Sequence, residues 1–309
     1  MSSAGSKKIV IAALIGNGLI AITKFIASFH TGSSAMLSEG IHSVVDTCNQ
    51  ALLLYGIHRS NRPADKFHPF GYAREIYFWA FIVAILLFAV GAGVSIYEGV
   101  TKLYSPSPVT NAFINYIVLG CAFIFEACAW WLALCEFKRM KGKMSYLEAT
   151  RKSKDPVLFT VLFEDTAAMV GITVAFLGIL FGDIYSLFWM DGAASITIGV
   201  ILAIVASFLA YECKGLLVGE SASDEVIKNI QTLLENYSTN SSVNELLTMQ
   251  LGPNDVLVTI SIDFDSSLSA IEVERYVSDL ETKIKSTHSE VKRVFIEAQS
   301  FAAHVRQQN

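Results

Sequence analysis

Apolar residues fall into six runs, each close to the roughly 20 residues needed to cross a bilayer. They occupy 9–29, 35–57, 76–96, 113–137, 157–180 and 187–211. The first break, His30-Thr31-Gly32-Ser33-Ser34, is short enough to be a tight turn, and the third carries Pro106 and Pro108. After Gly219 the pattern changes. Residues 224–236 predict a short helix and 243–251 a strand, followed by the turn Gly252-Pro253-Asn254-Asp255. In 256–264 Val256, Val258, Ile260, Ile262 and Phe264 alternate with polar neighbours, which predicts a half-buried strand. Residues 269–286 carry the stripe Val273, Tyr276, Val277, Leu280 and Ile284 of an amphipathic helix, and 291–298 predict a third strand. The expected fold is a membrane all-α bundle of six transmembrane helices in 1–220. A small cytoplasmic α+β domain, ordered αββαβ, follows in 221–309.

Basic residues orient this plan. The second and fourth connections hold Arg59, Arg62, Lys66 and Arg74, then Lys138, Arg139, Lys141, Lys143, Arg151, Lys152 and Lys154; the odd-numbered connections hold only Lys102. By the positive-inside rule the even connections and both termini are cytoplasmic. Composition agrees with a membrane body: 53% hydrophobic and 17% charged residues, against about 25% charged in soluble domains. From Ser221 onward 13 acidic residues face 7 basic ones, so the acidic charge is concentrated in the tail. Lys7 and Lys8 lead directly into a long apolar run without a small-residue cleavage site. The expectation is therefore direct insertion, in a bacterial inner (plasma) membrane, without a cleaved signal. Cys48, Cys121, Cys128, Cys135 and Cys213 form no CxxC pair and read as reduced, buried thiols. No P-loop, nucleophile elbow or Cys/His zinc framework is present, so the sequence suggests neither an enzyme nor a nucleic-acid binder.

The polar residues inside the apolar runs carry the chemistry. His42 and Asp46 lie one turn apart on one face of the second run, which Asn49 and Gln50 continue. Asp46 is about ten residues from the inner end of its run, ~15 Å deep. Such a pair is either interhelical glue or part of an ion site. Asp165, in the fifth run, falls at nearly the same depth from the opposite chain direction. An imidazole and two carboxylates at one level form a donor set suited to Zn²⁺, with Mn²⁺, Fe²⁺ and Co²⁺ as alternatives. Glu164 points about 100° from Asp165, and is either a further ligand or an interhelical partner. Glu126 is a candidate proton relay or hydrogen-bond acceptor, Lys24 reads as a snorkelling residue and Asn17 as helix–helix glue. In the second connection Asp65 and His68 form either a secondary surface metal site or an ordinary loop. Metal binding to acids and imidazole displaces protons, so such a site couples the two ions.

Thr31 to Asp46, Asp65 to Gly71, and Asp165 together resemble the cation diffusion facilitators, a family of proton-coupled divalent-metal transporters. The strings Asp46-Thr47-Cys48-Asn49-Gln50 and Leu162 to Ala168 resemble the branch containing zinc transporter nine. The resemblance implies His42, Asp46 and Asp165 as metal ligands, zinc export from the cytoplasm against protons, and a homodimer. It also implies a ferredoxin-like, metallochaperone-like tail. Three departures stand out. Val161 occupies a position where many members have a fourth ligand, leaving Glu164 or water to fill it. Tyr72 stands where some members have a third loop ligand. Ser261, Glu297 and Gln299 stand where metal-binding tails have His and Asp. The resemblance thus implies a tail that mainly dimerises, with weak or no metal binding. The missing ligand leaves two other readings: a non-transporting partner or regulatory subunit, and a transporter selective for Mn or Fe.

Overall fold

The computed structural model describes residues 3–109, 111–142, 144–237 and 241–308. Lys143, one of the basic residues of the fourth connection, lies outside them. The chain forms two compact units, Met1–Arg59 with Glu75–Lys214, and Ser60–Arg74 with Gly215–Asn309.

The first unit is a helical bundle of α1 (Ser3–Thr31), α2 (Ser34–Ser60), α3 (Glu75–Leu86), α4 (Gly93–Tyr104), α5 (Ala112–Lys141), α6 (Tyr146–Lys152), α7 (Pro156–Tyr185) and α8 (Trp189–Val218). The six apolar runs all become helices. The third is interrupted at Leu87–Ala92 by a π-helical segment that joins α3 to α4. Among the described residues four helices are long and apolar enough to cross a membrane: Glu75–Tyr104, Ala112–Arg139, Pro156–Tyr185 and Trp189–Val218. The α2 helix falls short of that measure because Glu39, His42 and Asp46 lower its hydropathy. The α1–α2 turn is made by Gly32, whose φ of +67° suits a residue without Cβ. Pro156 starts α7, where its missing N–H costs nothing, and the Asp155 side chain accepts from Val157 N. Glycines bring α4 and α8 into close contact. A Cβ at Gly99 would sit 2.6 Å from the Gly192 carbonyl oxygen, and one at Gly199 would sit 3.0 Å from that of Ala92.

The second unit holds α9 (Asp224–Tyr237), β1 (Ser241–Gly252), β2 (Asp255–Phe264), α10 (Ala270–Thr287), β3 (Val291–Ala298) and α11 (Phe301–Gln308). The strand order is β1-β2-β3; β1 and β2 form an antiparallel hairpin, and β3 joins β2 in parallel after the α10 crossover. Ser269 and Glu272 close a reciprocal capping box at the start of α10. One sheet face carries Val256, Val258, Ile260 and Ile262 into a core with Val226, Ile230, Leu280 and Ile284. The loop 60–74 belongs to this unit: Arg293 lies over the Phe70 ring at 5.3 Å, and Arg74 Nη2 reaches Met249 Sδ at 2.6 Å. The helices α6 and α11 and the π-helical segment were not expected from the sequence. The first two are too short for a clear period, and the third differs from an α-helix only in its hydrogen-bond spacing.

Candidate metal centre

The α2 helix presents His42, Asp46 and Asn49 to the inside of the bundle, and all three are buried. His42 Nδ1 stands 3.3 Å from Asp46 Oδ1, but no hydrogen bond forms between them. Both imidazole nitrogens, Asp46 Oδ1, Asn49 Oδ1 and Gln50 Oε1 are buried without a hydrogen-bond partner. Buried polar atoms are normally satisfied, so five orphans on one helical face mark a surface built for something other than packing. Glu164 of α7 is buried and accepts from Asn49 Nδ2 at 2.7 Å, a direct α2–α7 link. Asp165, beside it, is half-buried. Glu164, Asp165 and the buried Glu126 of α5 all act electrostatically on Asp46, so three helices bring carboxylates to one region. Among the described residues, no three His, Cys, Asp or Glu side chains are arranged to hold a metal ion. The arrangement is thus a His42–Asp46 pair with further carboxylates around it.

Other residues fall differently from the sequence reading. Lys24 does not snorkel: it is 0% exposed, and its Nζ donates to Glu39 Oε2 and Ser43 Oγ, each at 2.9 Å. A buried carboxylate partner removes the reason for the side chain to seek the interface. Four of the five free cysteines are exposed and only Cys213 is buried. The outer face of a membrane bundle is itself apolar, so apolar neighbours in sequence do not imply burial. Asn17 is buried in α1, in keeping with a packing role.

Sequence reasoning missed Asp191. This buried carboxylate of α8 accepts from Ser33 Oγ at 2.5 Å, Ser34 N at 2.7 Å and Ser34 Oγ at 2.9 Å, and so caps the start of α2. Nearby, Ser38 and Ser195 share a hydrogen bond of 2.5 Å, and Ser195 Oγ donates to the Ser95 carbonyl at 2.7 Å. An acid among small residues at a helix start was the available signal.

In the loop unit, Asp65 Oδ1 accepts from the amides of Phe67 (2.9 Å) and His68 (2.7 Å), and Oδ2 accepts from the Tyr72 hydroxyl at 2.6 Å. His68 Nδ1 lies 3.5 Å from Asp65 Oδ1, and its ring packs on Tyr72 with centroids 4.2 Å apart. The Tyr72 hydroxyl, then the His68 amide, hold the Asp65 carboxyl below its usual range. In the tail, Ser261 pairs with Glu297 across β2 and β3, and its hydroxyl reaches Gln299 Oε1 at 3.4 Å. His304 Nδ1 lies 3.1 Å from that same oxygen.

Long apolar helices around buried acids and an imidazole mark an integral membrane protein. Residues 10–218 match the cation efflux transmembrane domain, and the chain belongs to that family, the cation diffusion facilitators, near the zinc transporter nine branch. It is 34% identical over 264 residues to the human "Proton-coupled zinc antiporter SLC30A9, mitochondrial", covering 84% of this chain and 46% of that one. It is 30% identical over 265 residues to "Metal tolerance protein C4" of Arabidopsis thaliana, covering 85% and 58%. With "Cation-efflux pump FieF" of Escherichia coli it shares 24% over 275 residues, covering 89% and 86%. The chain thus spans about half the length of the human relative. That relative's mitochondrial label gives no support to the bacterial inner membrane expected from the sequence.

Proposed function

We propose that the protein is a secondary transporter that moves a divalent metal, zinc first, out of the cytoplasm in exchange for protons. The observation that carries this reading is the buried face of α2 on which His42, Asp46 and Asn49 keep atoms without hydrogen-bond partners, opposite the acids of α7. His42, Asp46 and Asp165 are the ligands, and Glu164 is the fourth donor in place of Val161. Metal arriving at these groups displaces their protons, and protons arriving from the other side displace the metal. The relatives named for zinc antiport and cation efflux support the class of cargo. Six helices span the bilayer, with both termini and the basic connections on the cytoplasmic side. Residues 1–220 form the transport domain and 221–309 a homodimerisation domain; exposed Leu247 and Phe295 on the open sheet face support such a contact. The Asp65–His68 loop is a structural clasp rather than a second metal site, since both Asp65 oxygens are already engaged.

One observation favours a second reading for the cargo. His42 is the only nitrogen donor, while Asn49 and Gln50 add orphaned oxygens. An oxygen-rich set suits Mn²⁺ or Fe²⁺ better than a set with two imidazoles.

The test is uptake into proteoliposomes driven by a proton gradient, with zinc alone and with manganese or iron in competition. The wild type is expected to transport zinc, and Asp46→Ala and Asp165→Ala to fall to the level of empty liposomes. Near-normal flux in both variants would overturn the site; preferential block by manganese would move the cargo to the second reading.

A further inference from the structure

A lysine inside a membrane bundle is costly, and a carboxylate partner explains only part of its placement. Lys24 divides its hydrogen bonds between Glu39 Oε2 and Ser43 Oγ, both at 2.9 Å, and all three side chains are buried. Ser43 directly follows His42 on α2, so the second bond draws the ammonium to the turn that carries the proposed ligand. Glu39 lies against α7, where a Cβ on Gly171 would come within 2.5 Å of Glu39 Oε1. The charge of Lys24 acts on His42, on Asp46 and on Glu126. A transported ion must be held firmly enough to enter its site and loosely enough to leave it. Several carboxylates in a medium of low dielectric constant bind a divalent ion strongly unless something opposes them.

We propose that Lys24 is an affinity-setting residue: a fixed ammonium beside the His42–Asp46 pair that repels the bound divalent ion and keeps it releasable. The inference rests on the reading of His42 and Asp46 as ligands. Coulomb repulsion scales with charge, so the ammonium opposes a divalent metal about twice as strongly as it opposes a proton at the same place. It therefore lowers the affinity for the metal by more than the affinity for any single proton. Glu39 and Ser43 serve to hold the ammonium in position.

The test is calorimetric titration of the purified full chain with zinc at fixed pH. The variants are Lys24→Arg, Lys24→Met, and Lys24→Met combined with Glu39→Gln, with Asp46→Ala as the reference for the site. Lys24→Met is expected to bind zinc about tenfold more tightly or better. The double variant, which also loses the Glu39 charge, gains less but still binds more tightly than the wild type, because Lys24 and not Glu39 acts on His42 and Asp46. Both release zinc more slowly from proteoliposomes, while Lys24→Arg stays near the wild type. The double variant leaves no lone buried charge, so it carries the test if Lys24→Met does not fold. Wild-type affinity in the double variant would make the pair a structural tie and overturn the proposal. Zinc binding that survives Asp46→Ala unchanged would instead remove the ligand reading, and this proposal with it.

Discussion

Both units bury apolar side chains, but among the described residues only the bundle buries lysine and acidic side chains as well. Inside the bundle lie Lys24, Glu39, His42, Asp46, Asn49, Glu126 and Glu164, while Leu132, Ile204 and Tyr211 are exposed. Inside the tail lie Val226, Ile230, Val258, Ile260, Leu280 and Ile284, while its charges face outward. The tail follows the rule for a water-soluble domain, in which removing apolar area from water supplies the stability. The bundle has an apolar exterior because its solvent is hydrocarbon, so its polar groups carry information instead of solubility. They fall into two kinds. Asp191, Ser38 and Ser195 are fully engaged and tie helices together, whereas His42, Asp46 and Asn49 keep orphaned atoms.

This contrast can be broken by substitution. The largest effect is expected from Asp46→Asn, which should reduce zinc flux in proteoliposomes to background. Thermal unfolding in detergent should occur at the same or a higher temperature, since a buried carboxyl oxygen without a hydrogen-bond partner gives way to an uncharged amide. A large loss of stability would place Asp46 among the engaged groups. Next, Leu280→Ala in the tail core should cost about 2–5 kcal/mol of tail stability and leave zinc affinity in the bundle unchanged, as read by denaturant unfolding and calorimetry. Asp191→Asn should behave like a tail substitution although it lies in the bundle. Weakening the α2 cap is expected to cost about 1–2 kcal/mol, with zinc affinity retained. The smallest effect is expected at Asp65. Its carboxyl titrates below its ordinary value in the folded loop, so the stabilisation is present above the ordinary carboxylate range and is lost as pH falls through the lowered folded value. Removing the hydroxyl in Tyr72→Phe should move that titration upward, as followed by NMR of the His68 amide.

Much of this was legible in the sequence because bilayer-length apolar runs and period-two alternation are strong signals. The third tail strand was placed at 291–298 and observed at Val291–Ala298. His42 and Asp46 stand out in the sequence because a polar pair in an apolar run is rare, and depth sets Asp165 level with Asp46. Long-range pairing was not legible. Lys24 reads from the sequence as a snorkelling residue, and only the packing of α1 on α2 joins it to Glu39. The engagement of Asp191 with Ser33 and Ser34 spans more than 150 positions and leaves no local period. Exposure of the cysteines was misread for a related reason: hydropathy does not separate a residue facing hydrocarbon from one facing other helices.

The π-helical segment Leu87–Ala92 has an evolutionary consequence. A widened turn absorbs one extra residue while keeping the helical phase on either side of it. Beyond it, α4 must present Gly99 to α8, where not even a methyl group fits. Losing one residue within 87–92 would leave an ordinary α-helix with Gly99 still in place. Losing one between 94 and 98 would turn α4 by about 100° and drive a bulky side chain into α8. Insertions and deletions among homologues should therefore collect in that one turn and be absent from the stretch that follows it.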